Sequence, residues 1–388
     1  MTDAKWGFAT RAVHAGQVPD PATGAIMTPV YLTSTFVQEA PGKHSGYDYS
    51  RSGNPTRAAL EANLASLEGG RFGLAFASGL ASEHTVLHLL RSGDHVVASR
   101  DLYGGSYRLF NEVWHQLGVQ FSFVDTSRCE DIDAAIRPET KQLWIETPSN
   151  PLLTVSDIAA ACEIAHRHDV QVVVDNTFAT PFLQRPLELG ADIVVHSTTK
   201  YLGGHSDVVG GAVVTSNEAV FERLKFLQNA IGAVPGPLDC FLVLRGTKTL
   251  GVRMKEHCAN AMAVSRFLKV HPEVRQVRYP GLESDPGYAI AVRQMSGYGG
   301  MVSMELDGGI ERNIRFATAT RIFSLAESLG GVESLVGHPA TMTHAAIPKE
   351  ERRRRGLADA LVRLSVGIED QKDLLEDLSR SIRDSRDG

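Results

Sequence analysis

Short apolar runs rich in valine and isoleucine, separated by polar stretches, recur between about residue 70 and residue 215. They predict buried β-strands near 73–77, 94–99, 120–124, 142–146, 170–175, 191–196 and 210–215. Between them the apolar positions fall at helical spacing. Asn54 as N-cap, Pro55 at the first helical position, Leu60, Leu64 and Leu67 on one face and a stop at Gly69-Gly70 predict a helix over 55–67. Ser156-Asp157-Ile158 opens another with an acidic first turn, and Ile158, Ala161, Cys162 and Ala165 share the face that would cover the sheet. Strands alternating with helices imply an α/β fold with a mostly parallel sheet covered by helices.

The pattern changes on either side of this region. Residues 1–48 contain Pro19, Pro21, Pro29 and Pro41 with several glycines and little periodicity, which predicts an extended N-terminal arm. The α/β domain is placed at 49–245. A long helical stretch from about 238 to 270, interrupted by Gly246 and Gly251, leads to Pro272, and the remainder, 246–388, reads as a smaller C-terminal α+β domain. It holds strand-like stretches at 301–306 and 361–366, a polar loop near 337–356, and a final helix carrying Leu374, Leu378 and Ile382.

Composition narrows the class. The 388 residues are 43% hydrophobic and 22% charged, an ordinary balance for a globular protein. A net charge of −6, with basic residues scattered, gives no footprint for nucleic acid. The one basic run, Arg352 to Arg355 after Glu350-Glu351, reads as a solvated turn or helix. Four cysteines without CxxC spacing suit a reducing cytoplasm. The start of the chain, with Asp3, Lys5 and Arg11, has no apolar core of a signal peptide, and no run approaches the roughly eighteen apolar residues of a membrane span, so neither export nor membrane insertion is expected.

Two of the predicted strands end in chemistry. Ile193-Val194-Val195 runs through His196 into Ser197, Thr199 and Lys200, and Val172-Val173-Val174 ends in Asp175-Asn176. Ligands of such sheets bind where the strands end. A nucleophilic amine, hydroxyls for an anion and a carboxylate for a protonated ring nitrogen are what pyridoxal 5′-phosphate chemistry requires, although a structural Asp–Lys pair is the alternative for these two alone. The turn Ser78-Gly79-Leu80, between a strand and a helix, would aim N–H groups at a phosphate. The patterns GxGxxG, GxxxxGK[ST], HExxH and GxSxG are absent, and Gly246-Thr247-Lys248-Thr249 lacks the glycine a P-loop needs before its lysine. His166 and His168 point away from each other on a helix, so no metal is expected.

Six ordered stretches then carry a resemblance: 49–57 (YSRSGNPTR), Tyr103-Gly104-Gly105, 146–151 (ETPSNP), Asp175-Asn176-Thr177-Phe178, 197–201 (STTKY) and 363–370 (RLSVGIED). Together they resemble the Cys/Met-metabolism family of pyridoxal-phosphate enzymes. The resemblance covers nearly the whole chain and implies the fold type I architecture of PLP-dependent transferases. It also implies a cytoplasmic homotetramer, a dimer of dimers with shared sites, acting on a small sulfur amino acid. It makes Lys200 the internal Schiff base and Asp175 the partner of the ring nitrogen, with Tyr103 stacked on the ring. Ser78, Gly79 and Leu80, with Ser197 and Thr199, would hold the phosphate, while Tyr49 and Arg51 would reach it from the neighbouring subunit. Leu80 departs from the methionine of many members, at a contact made through backbone. Arg363 and Asn150 would bind the substrate carboxylate, with Arg108, Glu327 and Ser328 also at the substrate. Tyr103, its pKa lowered by surrounding positive charge, is expected to move protons with Lys200.

Within the family, Glu327 and the stretch from Phe226 to Pro235 resemble the cystathionine γ-lyases, whose reaction gives cysteine, 2-oxobutyrate and ammonia. Cystathionine γ-synthases share both features and are the first alternative, followed by methionine γ-lyases and O-acylhomoserine sulfhydrylases. A PLP-fold binding protein without turnover is the alternative from another class; the joint presence of Lys200, Asp175, Tyr103 and Arg363 argues against it.

Overall fold

A computed structural model of the chain describes residues 6–345 and 349–386. Asp3 and Lys5, and the centre of the polar loop expected near 337–356, lie outside the described residues. Seven strands, β1 (Phe72–Phe76), β2 (His95–Ser99), β3 (Gln120–Val124), β4 (Thr140–Glu146), β5 (Gln171–Asp175), β6 (Ile193–Ser197) and β7 (Gly211–Thr215), form one sheet in the order β1-β7-β6-β5-β4-β2-β3. Each lies within about two residues of its predicted position. Val172, Val173, Val174, Ile193 and Val194 are all fully buried, as strands covered on both faces must be. One direction departs from the simple βαβ reading: β7 runs antiparallel to both β1 and β6. Hydrophobic pattern carries no direction, so this reversal is not legible in the apolar runs.

Helix α1 (Phe8–His14) lies within the stretch expected to be an extended arm. Its Ala12 is buried, and Asn63 of α2 (Pro55–Glu68) donates to the carbonyls of Arg11, Ala12 and Ala15. The rest of the arm is irregular. Asn54 caps α2 by accepting the N–H groups of Thr56 and Arg57, and its amide also donates to Tyr31 O. Farther along the arm Ile26 is 83% and Val37 95% exposed.

The helical stretch after residue 237 breaks once, between Pro237–Thr247 and Leu250–Val270. Gly246 and Gly251 sit inside these helices rather than ending them. A side chain at Gly246 would collide with the Gly203 carbonyl, so this glycine permits close approach to the loop after Lys200. A second sheet follows, from β8 (Val274–Arg278), β9 (Met301–Leu306), β10 (Ser324–Leu325), β11 (Leu335–Gly337) and β12 (Val362–Ser365) in the order β10-β11-β12-β9-β8. The final helix, Gln371–Asp384, buries Leu374, Leu378 and Ile382.

The basic run departs from its expected solvation. Arg352 to Arg354 lie in a short helix, Lys349–Arg354, but Arg355 is 7% exposed, with its guanidinium 4.0 Å from the Tyr107 ring centroid and donating to Arg100 O. The weakly hydrated, planar guanidinium tolerates such a stacked, buried position.

Candidate active site

At the carboxyl ends of β1, β4, β5 and β6 lies a cavity of about 400 Å³, within the size range of small-molecule sites. Ser78 opens α3 (Gly79–Leu87) by accepting the Ala81 N–H at 3.1 Å, so its hydroxyl oxygen already serves as the cap. Gly79 faces Ser197 closely enough that an added Cβ would stand 2.9 Å from the serine Cβ. The glycine therefore keeps the mouth of the helix open toward the cavity. Thr199 both accepts from Gly210 N (3.0 Å) and donates to Gly210 O (3.2 Å), which ties down the loop carrying Lys200.

Lys200 Nζ donates to Ser328 Oγ at 2.7 Å. Burial, reinforced by Arg363, lowers its pKa to about 8, while Glu327 works in the opposite direction. The amine can thus lose and regain a proton near neutral pH. Ser328 has φ +84, an uncommon conformation for a residue with a side chain. It turns its hydroxyl to Lys200 while its carbonyl accepts from Arg363 Nη2 at 2.9 Å. Arg363, delivered by β12, is 4% exposed and donates through Nη1 to Asn150 Oδ1 at 2.8 Å. Ser303 on β9 donates to Pro151 O at 2.7 Å, which joins the second sheet to this corner.

Asp175 ends β5 half-buried and accepts the Thr177 N–H at 2.8 Å. Burial raises its pKa; the hydrogen bonds of Thr177 and the charge of His196 oppose that rise. Tyr103 precedes α4 (Gly104–Arg108), and its N–H donates to Glu146 Oε2 at 2.7 Å. The expected depression of the Tyr103 pKa is not found. Burial pushes it up, with Glu327 and Glu83 adding to the rise against Arg108 and Arg363.

The cavity brings together Ser78, Gly79, Leu80, Tyr103, Asn150, Asp175, Ser197, Thr199, Lys200, Glu327, Ser328 and Arg363. It does not include Arg108, which is exposed at the end of α4 and acts on Tyr103 through its charge. Tyr49 and Arg51 also lie outside it. Arg51 donates to Asn229 Oδ1 at 3.1 Å and stands 5.3 Å over the Tyr49 ring, on the surface of the chain. Sequence reasoning missed Glu83, Thr177, Val209 and Thr343, which also line the cavity. Thr177 stood in a quoted motif, but the others carry no local signal.

A glycine-lined helix mouth, a half-buried amine with a depressed pKa, a buried carboxyl and an aromatic ring on one wall together fit pyridoxal phosphate. The model of the Cys/Met metabolism PLP-dependent enzyme family matches residues 9–383. The chain belongs to this family. It is a pyridoxal-phosphate enzyme with the fold of the trans-sulfuration enzymes. A cystathionine beta-lyase of Coxiella burnetii is 54% identical over 375 residues, covering 96% of this chain and 97% of that protein. A cystathionine gamma-synthase of Mycobacterium bovis is 53% identical over 378 residues, covering 97% of each. The crystal structure of cystathionine gamma-lyase from Lactobacillus plantarum complexed with L-serine is 47% identical, with a TM-score of 0.96, covering 98% of this chain and 100% of that one. These relatives carry three different named activities at similar identity, which supports a pyridoxal-phosphate lyase or synthase without separating them.

Proposed function

We propose that the chain is a cystathionine γ-lyase, releasing cysteine, 2-oxobutyrate and ammonia from L-cystathionine. The observation that supports cystathionine over methionine as the substrate is an exposed carboxylate, Glu327, lining the same cavity as Lys200 and Arg363, and the lyase direction rests on the product test below. Cystathionine is an amino acid at both ends. With one carboxylate held by Arg363 and Asn150, the distal ammonium is the end that Glu327 attracts, whereas the thioether end of methionine gains nothing there.

Pyridoxal phosphate supplies the electron sink for charge developing at Cα. The N–H groups of Gly79 and Leu80, with Ser78, Ser197 and Thr199, would hold its phosphate, Asp175 would keep its ring nitrogen protonated, and Tyr103 would lie against the ring. Tyr49 and Arg51 would reach the phosphate of a neighbouring subunit, within a homotetramer. Lys200 would be its covalent anchor and would take the proton from Cα once freed by the substrate amine. Its pKa of about 8 lets it move protons in both directions near neutrality. γ-Elimination needs a further proton removed at Cβ and one given to the leaving sulfur. Lys200 and Tyr103 are the groups of the cavity able to exchange protons there. The raised Tyr103 pKa suits a donor better than a base.

The test is the product set. Purified enzyme with L-cystathionine should form 2-oxobutyrate and cysteine. Pyruvate and homocysteine would instead mark a β-lyase. Cystathionine formed from L-cysteine and an O-acylhomoserine, without oxo-acid release from cystathionine, would mark a γ-synthase.

A further inference from the structure

One turn into α3 stands a carboxyl with no part in the proposed reaction. Glu83 is 5% exposed; its Oε1 accepts the Ser106 hydroxyl at 2.9 Å, and its Oε2 is buried without a partner. It lines the main cavity beside Tyr103, Glu146 and Asp175. With Glu146 and Asp175 it also lines a second space of about 10 Å³, room for about one water, whose other walls are Leu102, Ser106, Phe110, Trp144 and Ile145. Three carboxyls from α3, β4 and β5 thus share one small, mostly apolar enclosure. They are not gathered closely enough to chelate a metal ion, since no such cluster occurs among the described residues. What relieves three like charges in such surroundings is a proton.

The surrounding groups decide which carboxyl gives way. Burial and then Asp175 push Glu83 up to about 8, against the hydrogen bond from Ser106. Burial and then Asp175 also hold Glu146 well above the carboxylate range, against the Tyr103 N–H, with Asp101 and Glu83 adding to the rise. Asp175 has the Thr177 bonds and the His196 charge in its favour, and His196 is itself paired with Glu68. Lys200 and Arg363 also line the main cavity. His84, next on α3, is occupied with His88 and Trp114.

We infer that Glu83 is a positioning residue for the cofactor ring, a second acid behind Asp175 whose charge state sets the field that Asp175 presents to the ring nitrogen. The inference rests on the reading of Asp175 as that nitrogen's partner. With Glu83 neutral, Asp175 would present its charge to the ring nitrogen alone. With Glu83 ionised, a second negative charge would stand behind it, and protonated forms of the bound cofactor would persist to higher pH.

Glu83→Gln keeps an acceptor for Ser106 and cannot ionise. In the holoenzyme, the pH transition of the cofactor's visible absorbance band should move down by roughly half a unit or more, the effect expected of one charge removed across several ångströms of protein. The apoprotein gives a second readout. A raised acid pKa means that the folded state keeps a proton which the unfolded state loses, so folded stability falls as pH climbs from about 4.5 toward 8. The thermal midpoint of Glu83→Gln should therefore gain on the parent across that window and stay level above it. Glu83→Leu, which also loses the Ser106 bond, separates support of α4 from charge. An absorbance transition unmoved in Glu83→Gln, or a stability change equal at every pH, would overturn the inference. Asp175→Asn with the parent's absorbance profile would instead overturn the reading of Asp175, a failure visible without any change at Glu83.

Discussion

Tyr49 and Arg51 lie on the surface of the chain, while Asp175 and Lys200 lie beneath it, yet all four are expected to handle the same cofactor. The pocket floor is held from several directions: Asp175 by Thr177, Lys200 by Ser328, Arg363 by Asn150 and the Ser328 carbonyl. The stretch that follows the arm is more open: Tyr49 is 43% exposed, and the Arg51 side chain meets Asn229 and the face of its neighbouring tyrosine. If the proposed sharing of sites holds, Tyr49 and Arg51, displayed just beyond the arm, would complete the pocket of a second copy of the chain. Preorganisation within one chain and the proposed completion by another can each be broken alone.

The floor should fail hardest. Lys200→Ala is expected to lower kcat by roughly a thousandfold or more, the scale of losing both a nucleophile and a proton-transfer group, and to abolish the parental absorbance of the bound cofactor. Stopped assays and a spectrum of the purified variant check this. Retention of that absorbance would show that another group anchors the cofactor.

The exposed pair should fail more gently and be rescuable. Arg51→Ala removes a charge-assisted contact to phosphate, and cofactor affinity should drop roughly tenfold to a hundredfold. Mixing it with Lys200→Ala at equal amounts should restore activity to roughly a quarter of sites after random exchange, because a mixed dimer holds one site with both residues intact. No recovery, with exchange demonstrated by mass spectrometry, would confine Arg51 to its own chain.

At the rim, Glu327→Val should reduce the ratio of specificity constants for cystathionine over methionine by about tenfold to a hundredfold, matching the roughly 1 to 3 kcal/mol of a partly screened pair. The loss should fall mainly on cystathionine binding, with cofactor content unchanged. Equal losses for both substrates and a lower thermal midpoint would mean that Glu327 only supports the strained turn at Ser328.

The smallest effect concerns stability. A lysine with its folded pKa lowered to about 8 binds fewer protons than the unfolded chain between pH 8 and about 10.5, so stability rises with pH across that window. Below pH 8 the charged amine costs the fold up to about 3 kcal/mol. Apoprotein of Lys200→Met should therefore be more stable than the parent at pH 7, and the gap should close by pH 10.5. Urea titrations at several pH values measure it.

The strand tips were legible because polar groups there interrupt a long apolar pattern: hydroxyls and a lysine follow Ile193-Val194-Val195, and the structure places them at the end of β6 beside the cavity. The cap of α2 was legible for the same local reason. Glu83 was not, because a glutamate in a helix ordinarily marks the solvent face, and only the packing of α3 on β1, β6 and β7, which brings Glu83 beside Ser106 and the ends of β4 and β5, reverses that. Arg355 misled likewise, since its aromatic partners Tyr107 and Phe123 lie more than two hundred positions away. The sense of the Tyr103 shift was misjudged because counting nearby cations leaves out the cost of desolvation and the carboxylates behind the ring.

The reversed strand β7 has a consequence for motion. Because the chain turns back beside β6 rather than crossing over through a helix, Lys200 rides on a closed loop. It is pinned by Thr198 N to Gly210 O, Gly203 N to Thr198 O and Gly204 N to Lys200 O. Such a loop has little freedom of its own. The swing that frees the amine from one partner and brings it to another must then come from rotation about the four methylenes of the side chain, on a timescale far shorter than any backbone rearrangement. The backbone serves as a fixed pivot, and the lysine is the moving part.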